Sequence, residues 1–134
     1  GGDYTQSTRK LKVTGDVEVT GTLYATVSGT SSGFTINAQT SGYTLVASDA
    51  GKLVTMTTGD LTVPYSNSGV FSAGDVVTIH NKSSSTFAIL QQSGASLRFA
   101  GSNLSGNRDI TQRGIATITC IAANQYIISG SGLI

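Results

Sequence analysis

The chain has 134 residues, a net charge of +1, 11% charged side chains, and a single cysteine and histidine. That length admits one domain, or one domain with an arm, and a core that buries roughly two-thirds of the surface the unfolded chain exposes. The weak charge offers nothing to nucleic acid or an acidic membrane, Cys120 has no second cysteine to bridge, and one Cys with one His cannot build a metal site of that type.

Polarity comes from uncharged residues instead. The 18 Ser, 19 Thr and 17 Gly account for 54 of the 134 positions. Thr favours strands while Ser and Gly favour turns, so this is an all-β composition with many bends. No stretch approaches the roughly 18 apolar residues of a membrane-spanning helix. No basic segment leads into an apolar run at the N-terminus, so no signal peptide is expected in this form of the chain.

Residues 1–10 are polar and unpatterned. The stretch "KLKVTGDVEVTGTLYA" (10–25) follows, in which Val-Thr-Gly recurs six residues apart. Leu11, Val13, Val17 and Val19 alternate with Lys12, Thr14, Glu18 and Thr20, and Gly15 and Gly21 interrupt the alternation. The pattern predicts short strands joined by tight bends, too short to stand alone in water. Leu11, Val13, Val17, Val19 and Leu23 are therefore the candidate assembly interface, an apolar face to be buried against neighbouring chains. "SGTSSG" (28–33) reads as a hinge. Residues 1–33 are expected to be an assembly arm and residues 34–134 a compact β domain.

Period-2 segments then recur at short intervals: "FTINA", "YTLVA", "KLVTMTT", "LTVP", "DVVTIHN", "TFAILQQ", "SLRFA", "GIATITCIAA" and "QYIIS". Turn signals such as "SDAG", "TTGD", "SNSG", "SAGD" and "AANQ" separate them. This spacing predicts a β-sandwich or barrel. A single helical turn is expected near Ser48, capped by Ser48 or Asp49. The expected core is Leu45, Leu53, Val63, Val77, Ile79, Ile89, Ile118 and Ile127.

Little here points to catalysis. His80 sits in an alternating strand, and Asp75, five residues upstream, is a poor orienting carboxylate for it. The acids Asp3, Asp16, Glu18, Asp49, Asp60, Asp75 and Asp109 fall mostly in turns, and no motif marks a hydrolytic pair among them. "SGNRDITQRG" (105–114) reads as a solvated charged loop, with a partner contact through Arg108, Asp109 and Arg113 as the alternative. Cys120, within "IATITCIAA", reads as a buried, inert thiol. The dispersed Tyr and Phe residues read as core. No cofactor or metal is expected.

From Tyr43 onward the order "YTLVASDAGKLVTM", "LTVP", "FSAGDVVTIHN", "FAILQQ" and "GIATITCIAANQYIISGSG" resembles a β-rich module of structural proteins in tailed bacteriophage virions, tail fibres and other surface appendages among them. The closing aromatic, often Trp in that module, is Tyr126 here. The Val-Thr-Gly segment is similar to repeats that lead into phage fibre domains. The resemblance implies a non-enzymatic virion protein, trimeric, located on the phage head or tail. It would decorate, stabilise or extend the particle as a capsid decoration, head fibre or tail-fibre component. Its implied partners are its own copies and other virion proteins. The alternative it implies is a receptor-binding fibre tip for a host surface glycan. If the chain is whole, a small separately encoded virion component is expected; if not, a fibre fragment.

Overall fold

The computed structural model describes residues 14–16, 18, 20, 21 and 33–134. The candidate interface residues Leu11, Val13, Val17, Val19 and Leu23 lie outside the described residues. The chain divides into two units, Gly1–Thr30 and Ser31–Ile134, and the described residues of the second form an all-β domain.

Nine strands build it: β1 (Ile36–Gln39), β2 (Tyr43–Thr44), β3 (Leu53–Met56), β4 (Leu61–Val63), β5 (Val76–Asn81), β6 (Phe87–Gln91), β7 (Ser96–Phe99), β8 (Arg108–Ala122) and β9 (Gln125–Leu133). The helical turn expected near Ser48 is a 3₁₀ turn, Ala47–Asp49. Asp49 reaches back from it to accept the Val46 N–H at 2.9 Å.

The first six strands alternate between two parallel ladders. β1, β3 and β5 form one, and β2, β4 and β6 form the other. The chain therefore winds through three coils, and each coil adds one strand to each ladder. β8 then runs antiparallel across both: Ile115–Thr119 pairs with β5, and Arg108–Ile110 with β6. β9 returns along β8, and β7 joins β9 in parallel. The hydrogen-bonded path runs β1-β3-β5-β8-β6-β4-β2. Its two ends are consecutive strands, so the sheet is a nearly closed barrel with its seam between β1 and β2.

The switch between ladders needs a corner in β8. Pairing with β9 slips between Ile110 and Ile115, where Arg113 takes a φ of 64°. Opposite the corner, a Cβ on Gly130 would run into the Ile115 carbonyl and come within 3.0 Å of the Ala116 Cβ. Only a residue without a side chain lets the two strands cross this closely.

Register sorts the side chains into faces. Val54, Ile79 and Ala116 form an inward row and Val77, Ile118 and Ile128 another, all at most 2% exposed. Of the expected core, Leu45, Val63, Val77, Ile79, Ile89 and Ile118 are buried. Leu53 and Ile127 are corrections: both are half-buried on the outer face. In "KLV" and "YII" adjacent apolar residues leave the phase open. Pairing of Leu53 with Ile36 and Thr78 turns Val54 inward, and Tyr126 and Ile128 take the inner positions around Ile127.

Candidate functional site

Of the acids singled out from the sequence, Asp49, Asp60 and Asp75 each accept a backbone N–H. His80 is half-buried on the outer face of β5, opposite Ile115. Asp75 does not orient it; its carboxylate accepts the Ser72 N–H at 2.9 Å and closes a turn. Asp60 likewise accepts the Ala88 N–H at 2.9 Å, tying the turn after β3 to β6. Among the described residues no three His, Cys, Asp or Glu side chains gather as a metal site.

The stretch 105–114 is not a solvated loop. Its residues from Arg108 onward belong to β8, because Phe87, Ala88 and Ile89 pair with them. The Arg108 guanidinium lies 5.4 Å from the centroid of the Phe99 ring, and its Nη2 donates to the Leu104 carbonyl at 3.3 Å. Cation–π attraction and a backbone acceptor thus fix a charge that the sequence assigned to solvent. Cys120 is buried, and burial pushes its thiol pKa up, which holds it in the poorly nucleophilic protonated form.

The aromatics divide. Tyr126 is in the core, packs edge-on against Phe71 at 6.2 Å, and donates to the Pro64 carbonyl at 3.1 Å. Burial, with the nearby Cys120, pushes its pKa up to about 12. Phe34, by contrast, is 62% exposed. Tyr4 and Tyr24 lie outside the described residues.

Sequence reasoning missed the role of Asp49. It is fully buried, and its carboxylate accepts from Asn37 Nδ2 at 2.8 Å, Tyr43 Oη at 2.8 Å and the Val46 N–H at 2.9 Å. Gln39 Nε2 extends the chain by donating to Asn37 Oδ1 at 2.7 Å. All three direct donors are neutral. Burial, then the Asp49 hydrogen bond, raises the Tyr43 pKa, which keeps the phenol protonated as a donor. This cluster joins β1, β2 and the 3₁₀ turn into one first coil.

The described domain also carries a half-open cleft of about 260 Å³ between the turn after β3 and the loop joining β5 to β6. Its polar lining is hydroxyl: Thr57, Thr58, Ser83, Ser84, Ser85 and Thr86, over Phe87. Asn81 shapes the loop from below. It is fully buried and donates to the Ser85, Ile110 and Thr111 carbonyls at 2.7, 2.9 and 3.0 Å, while its Oδ1 accepts from Ser83. With no titratable group in its lining, the cleft can hydrogen-bond a neutral polar ligand but supplies no acid or base.

One end of the wound domain is open. Among the described residues β1 pairs only with β3, and β2 only with β4. Phe34 and Ile36 stand there, each 62% exposed. These features define a neutral, all-β, barrel-like domain whose polar clusters serve its architecture. The chain matches no known protein-family model, and no curated protein matches it.

Proposed function

We propose that the chain is a non-enzymatic structural protein of a tailed-bacteriophage virion surface, a homotrimer that decorates, stabilises or extends the particle on its head or tail. The resemblance over residues 43–134 supports the setting. The observation that carries the assembly role is the open first coil. Among the described residues the outer edges of β1 and β2 are unpaired beside exposed Phe34 and Ile36; such edges are a liability in water, and a closed assembly with further copies or virion proteins would cover them. In this reading residues 1–33 form the arm that makes those contacts, through Leu11, Val13, Val17, Val19 and Leu23.

Light scattering on a sizing column tests it. The full chain should run at three times its 13.7 kDa, and a chain starting at residue 34 should stay folded while losing the trimer. Unfolding of the shortened chain as a monomer would assign the arm to the domain's own sheet. A shortened chain that remains trimeric would remove the arm from the interface.

The hydroxyl-lined cleft favours a second reading, a fibre tip that binds a host surface glycan. Neutral hydroxyl donors and acceptors suit a neutral sugar. Retention of the full chain on neutral polysaccharide, lost when Ser84→Arg blocks the cleft, would support that reading over the first.

A further inference from the structure

Each coil crosses from the β1-β3-β5 ladder to the β2-β4-β6 ladder once, and within each ladder the strands are parallel. The crossings 40–42, 57–60 and 82–86 therefore lie at the same end of the domain and stack in chain order. Backbone contacts tie each to the coil before it. The Thr57 N–H donates to the Gln39 carbonyl at 3.1 Å, and the Lys82 N–H to the Met56 carbonyl at 2.9 Å. The first two crossings touch so closely that a Cβ on Gly59 would run into the Gly42 backbone. All three have the same chemistry: Thr40-Ser41-Gly42 in the first, Thr57-Thr58-Gly59 in the second, and Ser or Thr from 83 to 86 in the third. Apart from half-buried Ser83 these side chains are exposed. The hydroxyl-lined cleft is the gap between the second and third crossings, so it continues into an open ledge of the same composition. Asp60 and Lys82 flank the column with opposite charges, and the Asp60 carboxylate is already occupied by the Ala88 N–H. None of the exposed large apolar side chains stands on it, whereas the crossings at the opposite end carry exposed Val46 and Tyr65.

We propose that this column is a track for several consecutive units of an extended neutral polysaccharide, with one sugar seated in the cleft and its neighbours lying over the first crossing. The inference rests on the glycan reading above and adds the length and direction of the ligand. Spacing favours a polymer over a single sugar. Stacked coils repeat about every 4.8 Å, close to the advance of one pyranose along an extended chain, so successive sugars meet successive rows of hydroxyls. Charge favours a neutral chain, because one cation and one anion leave no net field to draw an acidic polymer. The lack of an exposed apolar side chain argues against a peptide, which needs a buried anchor. The site is also preformed. Asn81 holds the third crossing through the Ser85, Ile110 and Thr111 carbonyls, and the Gly42–Gly59 contact holds the first two. Binding therefore has little loop ordering to offset.

An array of neutral and acidic oligosaccharides, from one to six units long, tests the track with the full-length chain. Ser84→Arg in the cleft and Ser41→Arg on the first crossing are compared with the natural chain, and with Ser68→Arg, an exposed position at the opposite end, as a control. Circular dichroism melting confirms that each variant folds. The natural chain should bind neutral oligosaccharides with an affinity that rises about tenfold from one unit to three, the worth of one or two further hydrogen bonds. Ser84→Arg should abolish binding, Ser41→Arg should reduce the longer chains to the level of one unit, and Ser68→Arg should change nothing. If one unit binds as tightly as six, or Ser41→Arg binds like the natural chain, the track falls and a one-sugar cleft stands. If the natural chain binds nothing or acidic glycans alone, or if Ser84→Arg leaves binding intact or Ser68→Arg abolishes it, the glycan reading falls together with the track.

Discussion

Replacing Asp49 by Ala removes three hydrogen bonds from the first coil, those donated by Asn37, Tyr43 and the Val46 N–H. Bonds to a charged acceptor contribute about 1.5–3 kcal/mol each, a gross loss of about 4.5–9 kcal/mol. The substitution also removes a carboxylate that is fully buried and faces only neutral donors, so several kcal/mol of desolvation cost is relieved. Asn37 and Tyr43 are half-buried and can turn toward water. The net cost should be about 2–4 kcal/mol. Tyr43→Phe removes only one of the three bonds but leaves the charge buried, so it should cost about 1.5–3 kcal/mol. The two variants thus cost similar amounts despite breaking three bonds and one. The double variant should fall short of the sum by about 1.5–3 kcal/mol, the whole cost of Tyr43→Phe, because the phenol has nothing left to stabilise once the carboxylate is gone. Urea unfolding of the four proteins with a common m-value measures all three quantities. An Asp49→Ala cost below about 0.5 kcal/mol, or strict additivity, would refute the view that a buried charge organises this coil.

Other outcomes follow from the core, the corner and pH. Ile118→Ala empties an inward position that is 2% exposed and should cost about 2–5 kcal/mol in urea unfolding; an unchanged midpoint would mean that the strand's inner face is misassigned. Gly130→Ala drives a methyl into the Ile115 carbonyl and should cost at least about 1–3 kcal/mol; a neutral effect on the thermal midpoint would mean that the β8–β9 crossing is looser than described. Tyr126 has its folded pKa raised from 10.0 to about 12. Between those values the native state holds a proton that the unfolded chain has lost, so stability falls as pH rises. The slope should approach about 1.4 kcal/mol per pH unit, and Tyr126→Phe should flatten it in urea titrations at pH 9, 10, 11 and 12.

The strands themselves were plain in the sequence. Each of the nine alternating segments overlaps one observed strand, because Gly, Ser, Asn and Asp punctuate the chain wherever the backbone turns. Their pairing was hidden. Ile36 pairs with a residue 17 positions on, whereas Leu53 pairs with one 25 positions on, so the coils share no fixed period that would show as a repeat. The part of β8 from Arg108 to Thr111 reads as a loop because its charge density resembles that of a turn. It becomes a strand because β6 offers an unpaired edge, which no local window contains. Asp49 was visible as a turn residue, but its burial depends on Asn37 and Tyr43, both placed by earlier strands. A close run of two apolar residues, as at Leu53–Val54, fixes neither face until a neighbour sets the register.

That β8 alone joins both ladders has a consequence for biosynthesis. All six ladder strands leave the ribosome before Arg108–Ala122 does, and until then β5 and β6 present open edges of six and five residues. The locking pairs are distant, with Val76 waiting for Thr119 and Phe87 for Ile110. Cooperative folding is therefore deferred until these last strands have been translated, and the nascent chain meanwhile carries two strand templates open to its neighbours on the same polysome. Translation that pauses before β8 should produce aggregates, and one that runs through it should produce the closed barrel.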